Sequence, residues 1–146
     1  MPQHGKHPFP NPHFPSTMHW LYIFLGGGLG AASRFALASA VQQLAEHTRL
    51  QRFPIGILVC NILGSFVIGL IIGFMAARHN ESWARLHPFA VAGFLGSFTT
   101  FSTFALDTHK LLTDSPVLAS INLAASVLGS LAAVWLGFKA ANHLFL

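Results

Sequence analysis

Four long, predominantly apolar stretches dominate the sequence, at residues 20–41, 53–77, 89–106 and 117–138, and they run for 22, 25, 18 and 22 residues. A helix rising about 1.5 Å per residue needs ~20 residues to cross the ~30 Å hydrocarbon core of a bilayer, and each stretch meets or approaches that length. A water-soluble bundle would need helices with one wet face, and these are apolar all round. The mean hydropathy of +0.57, with 53% hydrophobic and only 8% charged residues, points the same way, because soluble domains carry roughly 25% charge. The expected fold class is therefore an all-α integral membrane protein with four transmembrane helices.

The links at 42–52, 78–88 and 107–116 are short and polar. They leave no room for a second domain, so residues 18–146 read as one transmembrane unit. Residues 1–17 are rich in Pro and His and lack both the basic start and the short apolar core of a secretory signal. They read as a disordered tail. His4, His7, His13 and His19 follow no rigid ligand spacing, and the intervening prolines forbid a helix that would gather them around a metal. The lone Cys60 lies inside the second stretch as a small apolar filler.

The net charge of +4 and pI near 10.0 reflect scarce carboxylates. The eight basic residues form no stripe, so lipid phosphate is the expected partner and nucleic acid is not. With four crossings both ends share a side with the middle link. That side carries Lys6, Arg78, Arg85 and Lys139, against Arg49, Arg52 and Lys110 on the other. Orientation follows Lys/Arg imbalance, and four against three is almost none. Such a balance permits insertion both ways round, beside the single orientation that a weak bias gives in most small membrane proteins.

Polar groups inside the spans are functional candidates, because lipid makes them costly. Arg34 reads either as a snorkelling or carbonyl-bound side chain, or as a fixed positive charge that draws anions to a vestibule. Asn61 is either glue between helices or a neutral donor able to hold an anion reversibly. Asn122 and Ser126, one turn apart, read as glue. Gly26-x-x-x-Gly30 and Gly69-x-x-x-Gly73 have the spacing of close helix crossings.

The segment from Gly93 to Phe104 says most. It places five hydroxyl residues within seven positions after two glycines, a poor continuous helix for lipid. A break there frees backbone carbonyls, which suit a hard cation such as Na⁺, and it is tolerated only where it lines a cavity or binds something. Phe101 and Phe104 share a helix face, as packing or as positive ring edges beside hydroxyl donors.

Gly27-Gly28-Leu29-Gly30-Ala31-Ala32-Ser33-Arg34-Phe35, Asn61-Ile62-Leu63-Gly64-Ser65-Phe66 and the Gly93–Phe104 segment together resemble, in order, the motifs of the Fluc (CrcB) family of fluoride channels. The resemblance spans the chain from about Met18. It departs in the long tail and in Phe35, where the family often has tyrosine. It implies a passive fluoride exporter in the cell (inner) membrane, an antiparallel dual-topology homodimer with a broken third helix and a structural Na⁺ at the dimer interface. It also implies roles for residues. Asn61, Phe101, Phe104, Ser102 and Thr103 would line the fluoride pore, Arg34 would sit at its vestibule, and the backbone carbonyls of Gly96 and Thr99 would hold the Na⁺.

The alternative from another class is a small dual-topology multidrug exporter. It needs a titratable group in the membrane, and the spans hold no Glu, with Asp107 expected at the end of the third helix. No nucleophile–base pairing or metal-ligand cluster is legible, so an enzyme is not expected.

The charge balance makes a direct prediction. Adding three Lys to the 42–52 link should turn two-way insertion into one orientation, read by labelling a cysteine in that link from outside sealed cells. Unaltered protein should label to about half and the Lys variant should shift to near zero, because the link then stays on the cytoplasmic side. A single orientation in the unaltered protein would end the dual-insertion reading.

Overall fold

The computed structural model describes residues 17–78 and 87–145, with the side chains of 77, 78 and 145 left aside. The N-terminal tail through residue 16 and most of the middle link lie outside the described residues. All described secondary structure is helical. Four helices are long and apolar enough to cross a membrane, and the third is interrupted.

Helix α1 (Thr17–Ala45) takes in the first apolar stretch and its flanks. A turn region follows, stitched by Gln42. Its Nε2 donates to the carbonyls of Gln51 at 3.2 Å and Phe53 at 3.3 Å, and its Oε1 accepts from Gly56 N–H at 3.4 Å. Helix α2 (Ile55–Arg78) crosses back. The third span opens as a π-helix over Pro88–Leu95 and runs directly into one α-helical turn, Gly96–Phe98. These two pieces together are α3. After Thr99 and Thr100 the span resumes as α4 (Phe101–Asp114). Helix α5 (Pro116–Phe145) completes the bundle.

The break was legible in the sequence, but its continuation was not. The 107–116 link is helical almost throughout, and Asp107 stands halfway along α4 rather than at a helix end. Nothing between Phe104 and Asp114 stops a helix. The stop is Ser115, extended at φ −157°, ψ 101°, as suits a residue preceding a proline. Pro116 then opens α5, where its missing N–H costs nothing.

Two glycine-lined crossings set the packing. Gly26 and Gly30 of α1 lie against the backbone of Phe89 and Phe94 of α3, and a Cβ on Gly93 would sit 2.9 Å from the Ile23 carbonyl. In the second crossing, Gly69 and Gly73 of α2 lie against Val134, Phe138 and Ala141 of α5. Gly137 returns the contact against Phe66 and Leu70. Backbone-to-backbone approach substitutes here for the hydrophobic effect, which is absent between helices in lipid. The outer surface is apolar, with Phe24 77% and Phe35 76% exposed, as lipid rather than water requires.

A side chain at Gly69 has nowhere to go except into the α5 backbone, so Gly69→Leu should cost about 1–3 kcal/mol of packing and lower the thermal midpoint in detergent. Gly28, which has nothing within 4 Å of an added Cβ, should accept Ala with an unchanged midpoint and elution profile. Equal behaviour of the two variants would show that the crossing does not limit stability.

Candidate functional site: a helix break stapled by Asn61

Thr99 (φ −84°, ψ 152°) and Thr100 (φ −150°, ψ 121°) are extended between α3 and α4. Extended residues inside a span leave backbone groups without helical partners, so each must find another. The Thr100 N–H donates to Asn61 Oδ1 at 2.9 Å, and Asn61 Nδ2 donates back to the Thr100 carbonyl at 3.2 Å. One side-chain amide thus imitates a neighbouring peptide. Gly64, one turn along α2, makes room for this approach: a Cβ there would collide with Thr99 Cγ2 and come within 3.2 Å of Phe98 Cδ1. The Asn61-x-x-Gly64 spacing is explained by the two needs together.

Thr100 also caps α4. Its Oγ1 accepts from Thr103 N–H at 3.3 Å, donates to Thr103 Oγ1 at 3.2 Å, and lies 3.3 Å from Ser102 Oγ. A threonine cap of this kind contributes about 1 kcal/mol. The interruption leaves the carbonyls of Gly96, Ser97, Phe98 and Thr99 without a helical N–H four residues on, and for two of them the donor's new partner is visible. The Gly96 carbonyl would take Thr100 N–H in a continuous helix, and that N–H goes to Asn61. The Thr99 carbonyl would take Thr103 N–H, and that goes to the Thr100 hydroxyl. The hydroxyl of Thr99 is spent on the Leu95 carbonyl at 2.9 Å, which also accepts the Thr99 N–H at 3.0 Å.

A cavity of about 410 Å³ opens at the break. Asn61, Gly96, Thr99, Phe101 and Phe104 all line it, so five residues singled out in the sequence meet at one place. Ser65 of α2, Thr100, and Ser126 and Ser130, one turn apart on α5, complete the polar part of the wall. Ser130 drew no attention in the sequence, although its i, i+4 spacing from Ser126 was a signal. Ser102 and Thr103 stand beside the cavity in the capping cluster and do not line it. Arg34 is half-buried on α1, where its carbonyl accepts from Cys60 Sγ at 3.8 Å, and it lines neither this cavity nor a second cleft, bounded by Ala38, Gln42, Arg52, Asp107, Lys110 and Asp114.

The rings of Phe101 and Phe104 have centroids 5.5 Å apart and an interplanar angle of 53°, a tilted pair that leaves ring edges available. Phe104 is 6% exposed and Phe101 79%. The cavity therefore has one walled side and one open flank. Among the described residues no three His, Cys, Asp or Glu side chains cluster as a metal site, so oxygen donors here are backbone and hydroxyl.

The family described as "CrcB-like protein, Camphor Resistance (CrcB)" matches residues 21–138. The chain belongs to the CrcB-like family. Curated CrcB-like relatives named "Fluoride-specific ion channel FluC" include one from Francisella philomiragia subsp. philomiragia, 43% identical over 122 residues that cover 81% of this chain and 90% of the relative. One from Opitutus terrae is 44% identical over 124 residues, covering 84% and 91%. One from Hydrogenovibrio crunogenus is 40% identical over 130 residues, covering 88% and 95%. With four candidate spans, this CrcB-like chain is a multi-pass membrane protein.

The staple makes Asn61 the residue on which the break depends. Asn61→Leu leaves the Thr100 N–H unpaired in a water-poor site and strips the Thr100 carbonyl, the N-cap oxygen of α4, of its second donor, a cost of about 1–3 kcal/mol for the orphaned group, and should lower the thermal midpoint more than Thr100→Val, which loses one cap. If the two substitutions prove equally mild, the staple is not what holds the break.

Proposed function

We propose that the protein is a passive fluoride channel of the cell (inner) membrane, assembled as an antiparallel pair of identical subunits. The observation that carries the reading is the open cavity at the helix break, where an amide, hydroxyls and two tilted phenylalanine rings converge without a fixed charge among the lining residues. The relatives' name supplies the ion, and the geometry suits it.

Fluoride is small and holds its water strongly, so a path through lipid has to offer many weak donors in place of that water. Asn61 keeps one amide N–H beyond the one given to Thr100. Ser126 and Ser130 add hydroxyls, Ser102 and Thr103 stand nearby, and Phe101 and Phe104 present positive ring edges. The N-terminus of α4 opens at the break, and its unpaired N–H groups and dipole favour an anion there. None of these groups traps the ion, which is what conduction needs. Arg34 supplies positive charge on α1 one turn from Ala38, which lines the cleft at the next level of the bundle, and serves as a vestibule charge.

The open flank supports the pairing. Gly96 and Phe101 are exposed, and released backbone at membrane depth is tolerated only under protein cover. A second copy of the chain supplies that cover, and the near-even Lys/Arg count permits it to be inverted. The released carbonyls of Gly96 and Thr99 fit a structural Na⁺, since hard cations take neutral oxygen donors. Such an ion at the dimer interface would add positive charge and tie the two breaks together. The exporter alternative loses its only candidate carrier from the ion path: Asp107 lines the other cleft with Arg52, Lys110 and Asp114.

The test is fluoride efflux from liposomes containing the purified protein. Phe101→Ile and Phe104→Ile keep apolar bulk and remove the ring edges, and each should slow efflux at least roughly tenfold, equivalent to about 1.4 kcal/mol of barrier, while elution as a dimer is unchanged. Near-normal efflux in both variants would reduce the rings to packing. No fluoride efflux from the unaltered protein would end the reading altogether.

A further inference from the structure

Asn122 is the largest side chain buried to 1% exposure, and it is an amide within a span otherwise made of apolar and small residues. Its Nδ2 lies 2.8 Å from Thr108 Oγ1 of α4. The Thr108 hydroxyl donates in turn to the Phe104 carbonyl at 2.8 Å. Because that hydroxyl has one proton and gives it to Phe104, it can only accept from Asn122. This fixes the orientation of the amide, which heavy-atom positions alone leave open. A directed relay thus runs from α5, through a threonine, to the backbone of a residue whose ring lines the cavity.

Helix α4 buries Phe104 and Leu111, and the Asn122–Thr108 bond ties it to α5. Its N-terminal end hangs on the Asn61 staple and its C-terminal end on the Ser115 turn, so between them the angle of α4 against α5 decides where Phe104 points. The hydroxyl bond to the carbonyl four residues back is of the kind that bends a helix slightly. We propose that Asn122, acting through Thr108, is a positioning residue that sets the rotation and depth of α4 and thereby the attitude of the Phe104 ring. In the fluoride path, a statement that rests on the function proposed above, this makes Asn122 and Thr108 determinants of conduction without touching the ion. Ser126, one turn from Asn122 on the same helix, does line the cavity, so the same bond also sets the spacing between the Ser126 hydroxyl and the rings.

The test uses the full-length protein in lipid nanodiscs with 4-fluorophenylalanine placed at position 104, and separately at position 94 as a reference on α3, read by fluorine NMR. Thr108→Val is isosteric and removes the hydroxyl. It should shift or split the position-104 resonance and leave the position-94 resonance in place. Asn122→Ala should do the same, and Thr108→Ser, which keeps the hydroxyl, should restore the original signal. In unlabelled protein, Thr108→Val and Asn122→Ala should each slow fluoride efflux roughly tenfold, about 1.4 kcal/mol, and the double variant should be no slower than either single one. An unchanged position-104 resonance in Thr108→Val overturns the proposal, and because that variant alters no volume it gives an answer even if Asn122→Ala fails to fold. Absence of efflux from the unaltered protein would remove the fluoride reading, while the resonances would still decide whether the relay positions the ring.

Discussion

Everything at the centre of this molecule depends on the pair of hydrogen bonds between the Asn61 amide and the Thr100 peptide. Lipid offers no water to an orphaned N–H or carbonyl, so a span can interrupt its helix only where something else takes up the freed groups. Asn61 takes both groups of Thr100 at once, which leaves the Thr100 hydroxyl free to cap α4. Gly96 and Thr99 are among the carbonyls whose usual N–H partners this arrangement diverts. One residue on α2 therefore takes up the backbone groups of Thr100 at the point where the third span breaks.

Close crossings make that arrangement possible. The α1–α3 and α2–α5 contacts bring backbone against backbone through glycines on both sides. Attraction between helices in lipid comes from such packing and from interhelical hydrogen bonds rather than from water exclusion. Gly64 extends the same device to the site itself, since only a residue without a side chain lets the extended Thr99 lie against α2. Rigid pairs of long helices thus carry a short irregular segment, which keeps the cavity walls fixed while the chain within them departs from helix.

The polar groups of the spans divide by what they touch. Asn61 acts as glue, because its amide staples the break, and the same side chain lines the cavity. Asn122 is bonded to Thr108 and buried, as glue would be, yet its bond ends on the backbone of Phe104. Charge is kept away from the cavity. Arg52, Lys110, Asp107 and Asp114 all collect in the cleft beyond it, so the groups that meet in the cavity are neutral.

Sequence alone determined the number of spans, the glycine crossings and the residues of the break, because apolar length, small-residue spacing and a run of hydroxyls each answer to local rules. It also supplied the motifs by which family membership was anticipated. It could not tell that α4 continues through Asp107 to Asp114, since a polar helix end and a polar link have the same composition. Nor could it tell that Ser130 joins the cavity wall while Ser102 and Thr103 stand in the cap. Which hydroxyl faces a cavity and which bonds its own helix depends on helix rotation. Rotation is set by the packing of α4 on α5 and by the bonds of Thr100, Thr108 and Asn122, contacts made between residues from 2 to 39 positions apart in sequence. Only the tertiary structure decided those, because a hydrogen-bonding side chain has several partners within reach of its composition and one within reach of its place.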